Sequence, residues 1–446
     1  MKKISGKFKI GLYACSGMGI NLMNVMMGSY LCSALLVGGF RTESDLMNQT
    51  FLQKDLVIAG LWATFILIAK IVDGVIDIPM AAFTDQLRSR FGRRRPSLVI
   101  GLVPLISSYL LFLLIPDKSG ASLINTVYYW VILCIFYSFY TLTMTTYYST
   151  YTEIVDNERD RRFLGNVKAV CDIIYFIIGF VAVRMMLNGM NVRIVALLML
   201  PLSMTMLIPM FMIKEPSNLD ESTVEYKTVG LVESFRHTFH NHAFIKWMVV
   251  HSIMQFGVQL FLGGINEYFS STGMNMIFVM MATFAPVPLT FGIYNHLVRT
   301  RGFGVGIRYT FLTFSFGMIA MFGVSFLEAG TLKMALSVAT GLVSSFAVGS
   351  IFASAYSVPS QLAAEEEEKD GIANSAMYFA VQGLFDGVAT GVATGLVLTA
   401  LKQGSKSDGG NAMIYLTVIS ASATLLSAVL TGLLPKSVLN IGKETK

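Results

Sequence analysis

Charged residues are scarce in this sequence of 446 residues: 13% are Asp, Glu, Lys or Arg, whereas 54% are hydrophobic. A soluble domain has about 25% charged residues, so this composition does not fit a soluble globular protein. The apolar residues form runs of about 20, the length that a helix needs to cross the bilayer core. Alternating strands of about ten residues are missing, which argues against a membrane barrel. The composition therefore predicts an all-α polytopic membrane protein.

Cysteine is also rare, and each of the four cysteines lies inside an apolar run. Their spacing matches no zinc site. We expect Cys15, Cys32, Cys134 and Cys171 to be small packing residues rather than disulfides or metal ligands.

Catalytic signatures are missing as well. The sequence has no serine–histidine–acid grouping, phosphate loop, ATP-binding motif or metal signature. We therefore expect that the protein is not an enzyme and has no cofactor. If it moves a solute, the energy must come from an ion or solute gradient. The net charge of +6 does not indicate nucleic acid, because the basic residues lie between apolar runs, as membrane topology requires. The predicted partners are the lipid bilayer and a small-molecule solute, and we expect a monomer.

Twelve apolar segments are long enough to be membrane spans. The first follows a basic start without a small-residue cleavage site, so it is predicted to be a helix rather than a signal peptide. The predicted spans are 10–38, 56–83, 96–116, 123–152, 167–186, 193–213, 244–267, 274–297, 307–328, 332–356, 373–401 and 412–435.

Lys and Arg are distributed unevenly over the loops between these spans. The termini and the loops on their side carry 24 of the 33 basic residues, and the opposite loops carry 8. The positive-inside rule then places both termini in the cytoplasm, with the chain in the plasma (inner) membrane. The longest hydrophilic stretch, 214–243, separates a six-helix bundle at 1–213 from a second one at 244–446.

The second span contains three charged residues, Lys70, Asp73 and Asp77. A charge at membrane depth costs about 2.5–3.5 kcal/mol on insertion scales, so such residues need a reason to be there. Spacings of three and four place them on one helical face. Two carboxylates and one ammonium on one face could hold a cation or a proton. The alternative is an internal salt bridge that only joins helices.

The fourth span is rich in hydroxyl groups. Its stripe at helical spacing could line a polar cavity and hydrogen-bond a sugar-like solute, while the aromatic rings stack on the solute's apolar face. Hydrogen bonding between helices is the alternative. The residues of the stripe are Tyr137, Thr141, Thr145, Tyr148 and Thr152.

Other polar residues in the spans are weaker candidates. Asp172 and Asp386 could face a cavity or pair with a cation elsewhere. Glu267 is predicted at the outer membrane interface. A polar stripe in the seventh span fits helix packing as well as binding; it comprises His251, Gln255 and Gln259.

The motif from Lys70 to Pro79, followed by Asp85 and by Arg90 to Pro96, resembles the glycoside–pentoside–hexuronide:cation symporters. These proteins form the melibiose permease-like branch of the major facilitator superfamily. Further stretches resemble the family's entry to helix five, its entry to helix seven and its eleventh helix, so the resemblance covers most of the chain. These stretches are 157–168, 234–244 and 373–383.

The resemblance implies a major facilitator fold and a cation site. The family's paired helix-two aspartates, which hold Na⁺, H⁺ or Li⁺, match Asp73 and Asp77, and its neighbouring basic residue matches Lys70. Its helix-four tyrosine and threonine match Tyr140 and Thr141. We therefore expect H⁺ or Na⁺ as the coupling ion, and no other metal.

Several positions depart from the family pattern. Ile78 separates the second aspartate from Pro79. The sugar-binding aspartate of helix one aligns with Asn21, the helix-four aspartate with Met144, and the helix-eleven lysine with Gln382. Both carboxylates that hold a galactoside are thus replaced, which predicts another sugar, a glycoside with an apolar part, or a solute that is not a sugar. The loss of a carboxylate weakens a Na⁺ site and favours H⁺.

The predicted function is cation-coupled symport of a sugar, glycoside or similar small polar solute by alternating access. A passive facilitator or a proton-coupled exporter of a non-sugar organic solute is the alternative. The predicted solute site is Asn21, Tyr140, Thr141, Met144, Tyr148 and Gln382, with Thr141 also assigned to the cation site. Cytoplasmic gate contacts are predicted among Arg93, Arg94, Arg95, Asp85 and Glu153, with simple control of topology as the alternative.

Overall fold

The structure is a computed structural model that describes residues 3–152, 154–155, 158–217, 219, 238–354, 358–359, 361–362, 365, 375–408 and 411–443. Among these residues the regular structure is helical, and no strand occurs. Eleven helices in this part of the chain are long and apolar enough to cross a membrane, and one bent pair of helices makes a twelfth span. The predicted all-helical, polytopic fold class is therefore confirmed.

The chain divides into two compact units, of which the first contains Met1–Val37 and Thr42–Tyr226. It holds six candidate spans. They are α1 (Lys7–Leu35), α2 (Ala59–Gln86), α3 (Arg94–Phe112), α4 (Leu123–Ser149), α5 (Glu158–Leu187) and α6 (Val192–Met212).

Polar side chains start several of these helices. The Ser122 hydroxyl accepts a hydrogen bond from the backbone N–H of Asn125 at the start of α4. The Asn191 side chain accepts one from the N–H of Arg193 at the start of α6. Each cap satisfies a backbone N–H group that has no partner within its own helix.

Inside the first unit, buried tyrosines join helices through backbone carbonyls. Tyr30 of α1 donates a hydrogen bond of 3.0 Å to the carbonyl of Gly179 in α5. Tyr109 of α3 donates one of 3.2 Å to the carbonyl of Ala196 in α6.

All four cysteines are free thiols, and the Sγ atoms of Cys15 and Cys171 lie 2.7 Å apart.

Helix α5 begins earlier than predicted. It starts at Glu158, whereas the hydropathy pattern predicted a loop up to residue 167. Its first turns, Glu158 to Arg162, are charged, so hydropathy cannot detect them even though they are helical. Lys168 and Asp172 therefore lie well inside this helix rather than at its first turn.

The second unit contains Gly38–Arg41 and Lys227–Lys446. Residues 220–237, most of the predicted central loop, lie outside the described residues. The spans of this unit are α7 (His242–Gly263), α8 (Met276–Phe284 with Val287–Arg301), α9 (Phe303–Ser325), α10 (Thr331–Ser354), α11 (Met377–Ser407) and α12 (Asn411–Leu433).

Helix α8 is bent by 41° between Phe284 and Val287. Pro286 stands at the break, with Pro288 two residues later. A proline lacks the N–H group of the helical ladder and its ring crowds the preceding turn, which accounts for the bend. The predicted span 274–297 therefore corresponds to two helices rather than one.

Helices α1 and α11 each contain a π-helical turn. These turns are Met26–Leu31 in α1 and Gly391–Val397 in α11. π-helical turns inside α-helices are rare and frequent at functional sites. The turn in α1 begins five residues after Asn21, and the turn in α11 begins five residues after Asp386.

The second unit contains a buried ion pair that was not predicted. Glu267 was expected at the outer interface, and Lys402 in a loop beyond the eleventh span. Instead α11 continues to Ser407, and the Lys402 ammonium lies 2.6 Å from the Glu267 carboxylate. Both side chains are buried within the protein, so neither charge stands alone in water or lipid, and the position of Glu267 at the outer interface stays a prediction. Hydropathy assigned each charge to the surface by itself and had no signal for their pairing.

The short segment Gly38–Arg41, which we call the 38–41 segment, docks on this ion pair. The Ser271 hydroxyl donates a hydrogen bond of 2.7 Å to the carbonyl of Gly39. The Lys402 ammonium lies 5.5 Å from the ring centre of Phe40. The Arg41 guanidinium donates a hydrogen bond of 3.0 Å to the side chain of Asn411. These contacts explain why four residues that follow α1 belong to the second unit.

Candidate functional site

The charged face of α2 meets α4 in the first unit. The Lys70 ammonium lies 3.2 Å from a carboxylate oxygen of Asp73, and their side chains are 17% and 25% exposed. The same ammonium lies 3.6 Å from the ring centre of Tyr137 in α4. A cation over an aromatic face is attracted by the ring quadrupole, so Lys70 is held by two groups.

Asp77 lies one turn further along the same face of α2. The Thr141 hydroxyl of α4 hydrogen-bonds to its carboxylate, and the Asp73 carboxylate is close enough to repel it. No ion pair of Asp77 occurs in the described part of the chain. The structure thus brings together the four residues of the predicted cation site. One carboxylate is compensated by Lys70, and the second is held by a hydroxyl group.

The predicted solute residues of α1 and α4 are also neighbours. Tyr140 donates a hydrogen bond of 3.0 Å to the side-chain oxygen of Asn21. The Asn21 amide nitrogen in turn donates one of 3.3 Å to the Tyr148 hydroxyl. Asn21 is 8% exposed, so its amide makes hydrogen bonds with two tyrosine hydroxyls in place of water. These three residues form a polar cluster that joins α1 to α4.

Met144 is buried on the same side of α4 and packs against α1. A Cβ atom on Gly17 would lie 3.3 Å from its terminal methyl group. This is the soft apolar contact that a methionine makes where the family has an aspartate.

Two charged residues of α5 extend the polar cluster. Lys168 lies 2.6 Å from the Asp172 carboxylate, and its ammonium lies 5.1 Å from the ring centre of Tyr148. Asp172 was a weak candidate in the sequence, and Lys168 was not assigned to the site. Their i,i+4 spacing in an otherwise apolar stretch was the available signal.

Gln382 lies in the second unit, on α11. Its side chain is 5% exposed, and its Nε2 atom lies 3.3 Å from Nε2 of His251 in α7. The same histidine nitrogen lies 3.2 Å from the carboxylate of Asp386. The structure therefore joins three polar residues that were separate candidates in the sequence.

The arginine-rich turn before α3 contacts an acidic residue that was not predicted. The backbone N–H of Arg94 donates a hydrogen bond of 2.8 Å to the Glu215 carboxylate. Glu215 packs against Gly92, whose φ of +78° is the left-handed conformation that favours glycine. The guanidinium of Arg95 lies 5.3 Å from the ring centre of Phe91.

The other predicted gate partners cannot be placed. The side chain of Asp85 and the whole of Glu153 lie outside the described residues. Their pairing with Arg93, Arg94 and Arg95 stays a prediction.

Comparison with known proteins identifies the family. Residues 12–434 match the family described as MFS/sugar transport protein. A relative from Synechocystis sp., described as uncharacterized symporter sll1374, is 31% identical over 114 residues. That alignment covers 25% of this chain and 21% of the relative, so the chain matches about a fifth of that protein's length.

Solved structures of transporters share the fold. A mutant of the nucleoside transporter NupG superposes with a TM-score of 0.62 at 14% identity, covering 95% of this chain and 99% of that one. A bacterial homolog of the human lysosomal transporter Spinster superposes with a TM-score of 0.58 at 9% identity, covering 97% and 98%. These structures show the same fold, and the match over 12–434 confirms the resemblance drawn from α2: the chain is an integral membrane protein that belongs to the MFS/sugar transport protein family.

Proposed function

We propose that this transporter carries a small polar organic solute, a sugar or a glycoside, together with H⁺ or Na⁺. The observation that carries the proposal is the charge arrangement on α2. Lys70 compensates Asp73, whereas Asp77 has a hydrogen bond from the Thr141 hydroxyl and no ion pair among the described residues. A bound cation would neutralise the remaining charge, and a neutral face enters a dry, closed state at lower cost than an ionised one.

The polar cluster of Asn21, Tyr140 and Tyr148 is the proposed solute site. Amide and phenol groups can exchange their mutual hydrogen bonds for those of a hydroxylated solute, and the tyrosine rings offer stacking surfaces. Met144 suits an apolar part of the solute. Lys168 and Asp172 add one charge of each sign at the edge of this cluster.

We further propose alternating access between bundles at 1–213 and 244–446, in a monomer with both termini in the cytoplasm of a plasma membrane. Coupling arises if cation and solute together favour the change of state more than either does alone. The description of the Synechocystis relative as a symporter supports this direction of coupling.

Transport by reconstituted protein tests the proposal. The solute is first identified by thermal-shift screening of sugars, glycosides and other organic solutes, with and without Na⁺ and across pH. Uptake of that solute into proteoliposomes is then driven by an imposed pH or Na⁺ gradient. Asp73→Asn and Asp77→Asn are compared with Glu328→Gln, which changes an exposed carboxylate outside the spans.

We expect gradient-driven uptake to be lost in Asp77→Asn and Asp73→Asn, and to be normal in Glu328→Gln. Wild-type uptake in both α2 variants would refute the coupling site. Counterflow that ignores every imposed ion gradient in the wild-type protein would instead identify a passive facilitator. Proton-driven movement of a non-sugar solute out of the cell would identify an exporter.

A further inference from the structure

A buried histidine in the second unit contacts a carboxylate and an amide of α11 through one ring nitrogen. His251 of α7 is 1% exposed. Its Nε2 atom lies 3.2 Å from the Asp386 carboxylate and 3.3 Å from Nε2 of Gln382. Gln382 and Asp386 are four residues apart, so both project from one face of α11.

The hydrogen bonds at Nε2 depend on where the ring proton lies. A neutral imidazole carries one ring proton, and its other nitrogen has a single lone pair that accepts one hydrogen bond. When Nε2 carries the proton, it donates to an ionised Asp386, and Gln382 turns its amide oxygen towards the ring. In this arrangement Nδ1 keeps its lone pair.

The second nitrogen of the ring leaves room for a further proton. Nδ1 of His251 is buried and has no hydrogen-bond partner among the described residues. The ring stacks on Trp247, with ring centroids 5.2 Å apart. An aromatic face attracts a cation, so Trp247 suits an imidazolium as well as a neutral ring.

Few other charges lie on the helices that pack against α7. Asp386 is the sole charged residue of α11 between Ser375 and Val397, and α12 has none from Asn411 to Leu433. Arg308 of α9 donates to Thr431. The described residues of α7 and α11 also include His242, Lys246, Tyr378, Lys406 and Lys402, the last of which pairs with Glu267.

We infer that His251 and Asp386 form a protonation site of the second unit, separate from the carboxylates of α2. The pair takes up and releases a proton at Nδ1, beside Gln382, which the sequence places in the solute site. Its net charge therefore acts on a predicted solute residue. The effect on solute rests on the proposed function, whereas the protonation site itself does not.

The test uses the purified full-length protein without solute. An imidazolium in ring contact quenches indole fluorescence, so Trp247 reports the charge of His251. Emission is recorded across the range where histidine titrates, roughly pH 5–8. Trp62 and Trp130, the other two tryptophans, provide the background, and Trp247→Phe isolates the signal of Trp247 by difference.

We expect a reversible loss of Trp247 emission on acidification. His251→Gln abolishes it, and His296→Gln, which changes another histidine of the unit, preserves it. Asp386→Asn replaces the carboxylate that compensates an imidazolium by a neutral amide, so it weakens the loss of emission. Circular dichroism and size-exclusion chromatography establish that each variant is folded.

An unchanged titration in His251→Gln would overturn the inference. So would an absence of any pH-dependent difference between wild type and Trp247→Phe, a comparison that leaves His251 intact. Neither result depends on transport, so failure here and failure of the α2 coupling site are distinguishable.

Discussion

The Lys402 ammonium and the Glu267 carboxylate lie 2.6 Å apart, with their side chains 3% and 0% exposed. Removing one partner of a buried pair leaves the other charge without compensation, which costs about 3–5 kcal/mol. We therefore expect Glu267→Gln and Lys402→Met each to lower the thermal unfolding temperature of the purified protein strongly. Glu328→Gln, at an exposed carboxylate, serves as the control.

The double variant Glu267→Met with Lys402→Met should recover much of that loss, because no unpaired charge remains. If the single variants unfold at the temperature of Glu328→Gln, the pair contributes nothing to stability, contrary to this prediction.

The 38–41 segment can be displaced without changing any charge. A Cβ atom on Gly38 would lie 2.0 Å from the backbone carbonyl oxygen of Lys402, and backbone cannot give way as a flexible side chain does. We expect Gly38→Ala to destabilise the protein by at least the ~1–3 kcal/mol typical of overpacking. It should also increase the labelling, by a water-soluble thiol reagent, of a cysteine introduced at the half-buried Phe40.

Gly330→Ala is the matched control for Gly38→Ala, since nothing lies within 4 Å of its added Cβ atom. Equal labelling and equal stability of the two alanine variants would show that the 38–41 segment is not held as the structure describes.

Thr141 should set the affinity of the cation site through its hydroxyl. A hydrogen bond to a charged group contributes about 1.5–3 kcal/mol, so Thr141→Val should change the half-saturating ion concentration by roughly tenfold or more. If the ion is H⁺, that concentration falls, because the lost hydrogen bond stabilised the ionised carboxylate; if the ion is Na⁺ with the hydroxyl as a ligand, it rises. Thr141→Ser keeps the hydroxyl and should stay near wild type. The measurement is the half-saturating concentration of H⁺ or Na⁺ in proteoliposome uptake, and identical values for Val and Ser would exclude the hydroxyl from the site.

Tyr140 is expected to act on solute rather than on cation affinity. Tyr140→Phe removes the hydroxyl that donates to Asn21 in this structure and that the proposed site offers to the solute. A typical hydrogen bond contributes about 0.5–1.5 kcal/mol, so solute affinity should fall by up to about tenfold. Tyr128→Phe is the control on the same helix, because its hydroxyl binds the Leu111 carbonyl instead. Equilibrium binding of the identified solute decides the matter: equal affinities in the two variants would remove Tyr140 from the solute site.

Much of this architecture follows from local patterns in the sequence. A span is visible because about 20 consecutive apolar residues suffice to mark it. The face shared by Lys70, Asp73 and Asp77 is visible because spacings of three and four define a helical face. The hydroxyl stripe of α4 likewise led to Thr141 and Tyr148, which the structure places beside Asp77 and Asn21.

Contacts between residues far apart in the sequence could not be predicted from such local patterns. Glu267 and Lys402 are 135 residues apart, and each by itself looks like a charge at a membrane surface. His251 and Asp386 are equally far apart, so their shared proton depends on how α7 and α11 pack. The spacing of residues within one helix does not indicate which other helix packs against that helix.

The second unit is assembled from two separate stretches of chain, Gly38–Arg41 and Lys227–Lys446. At about 5–20 residues per second, the ribosome makes the first stretch tens of seconds before it reaches Lys402. Biosynthesis must therefore keep those four residues accessible until the late helices arrive. A gene split after Tyr226 would yield a C-terminal fragment without the 38–41 segment. Coexpression with the N-terminal fragment would be needed to supply that segment.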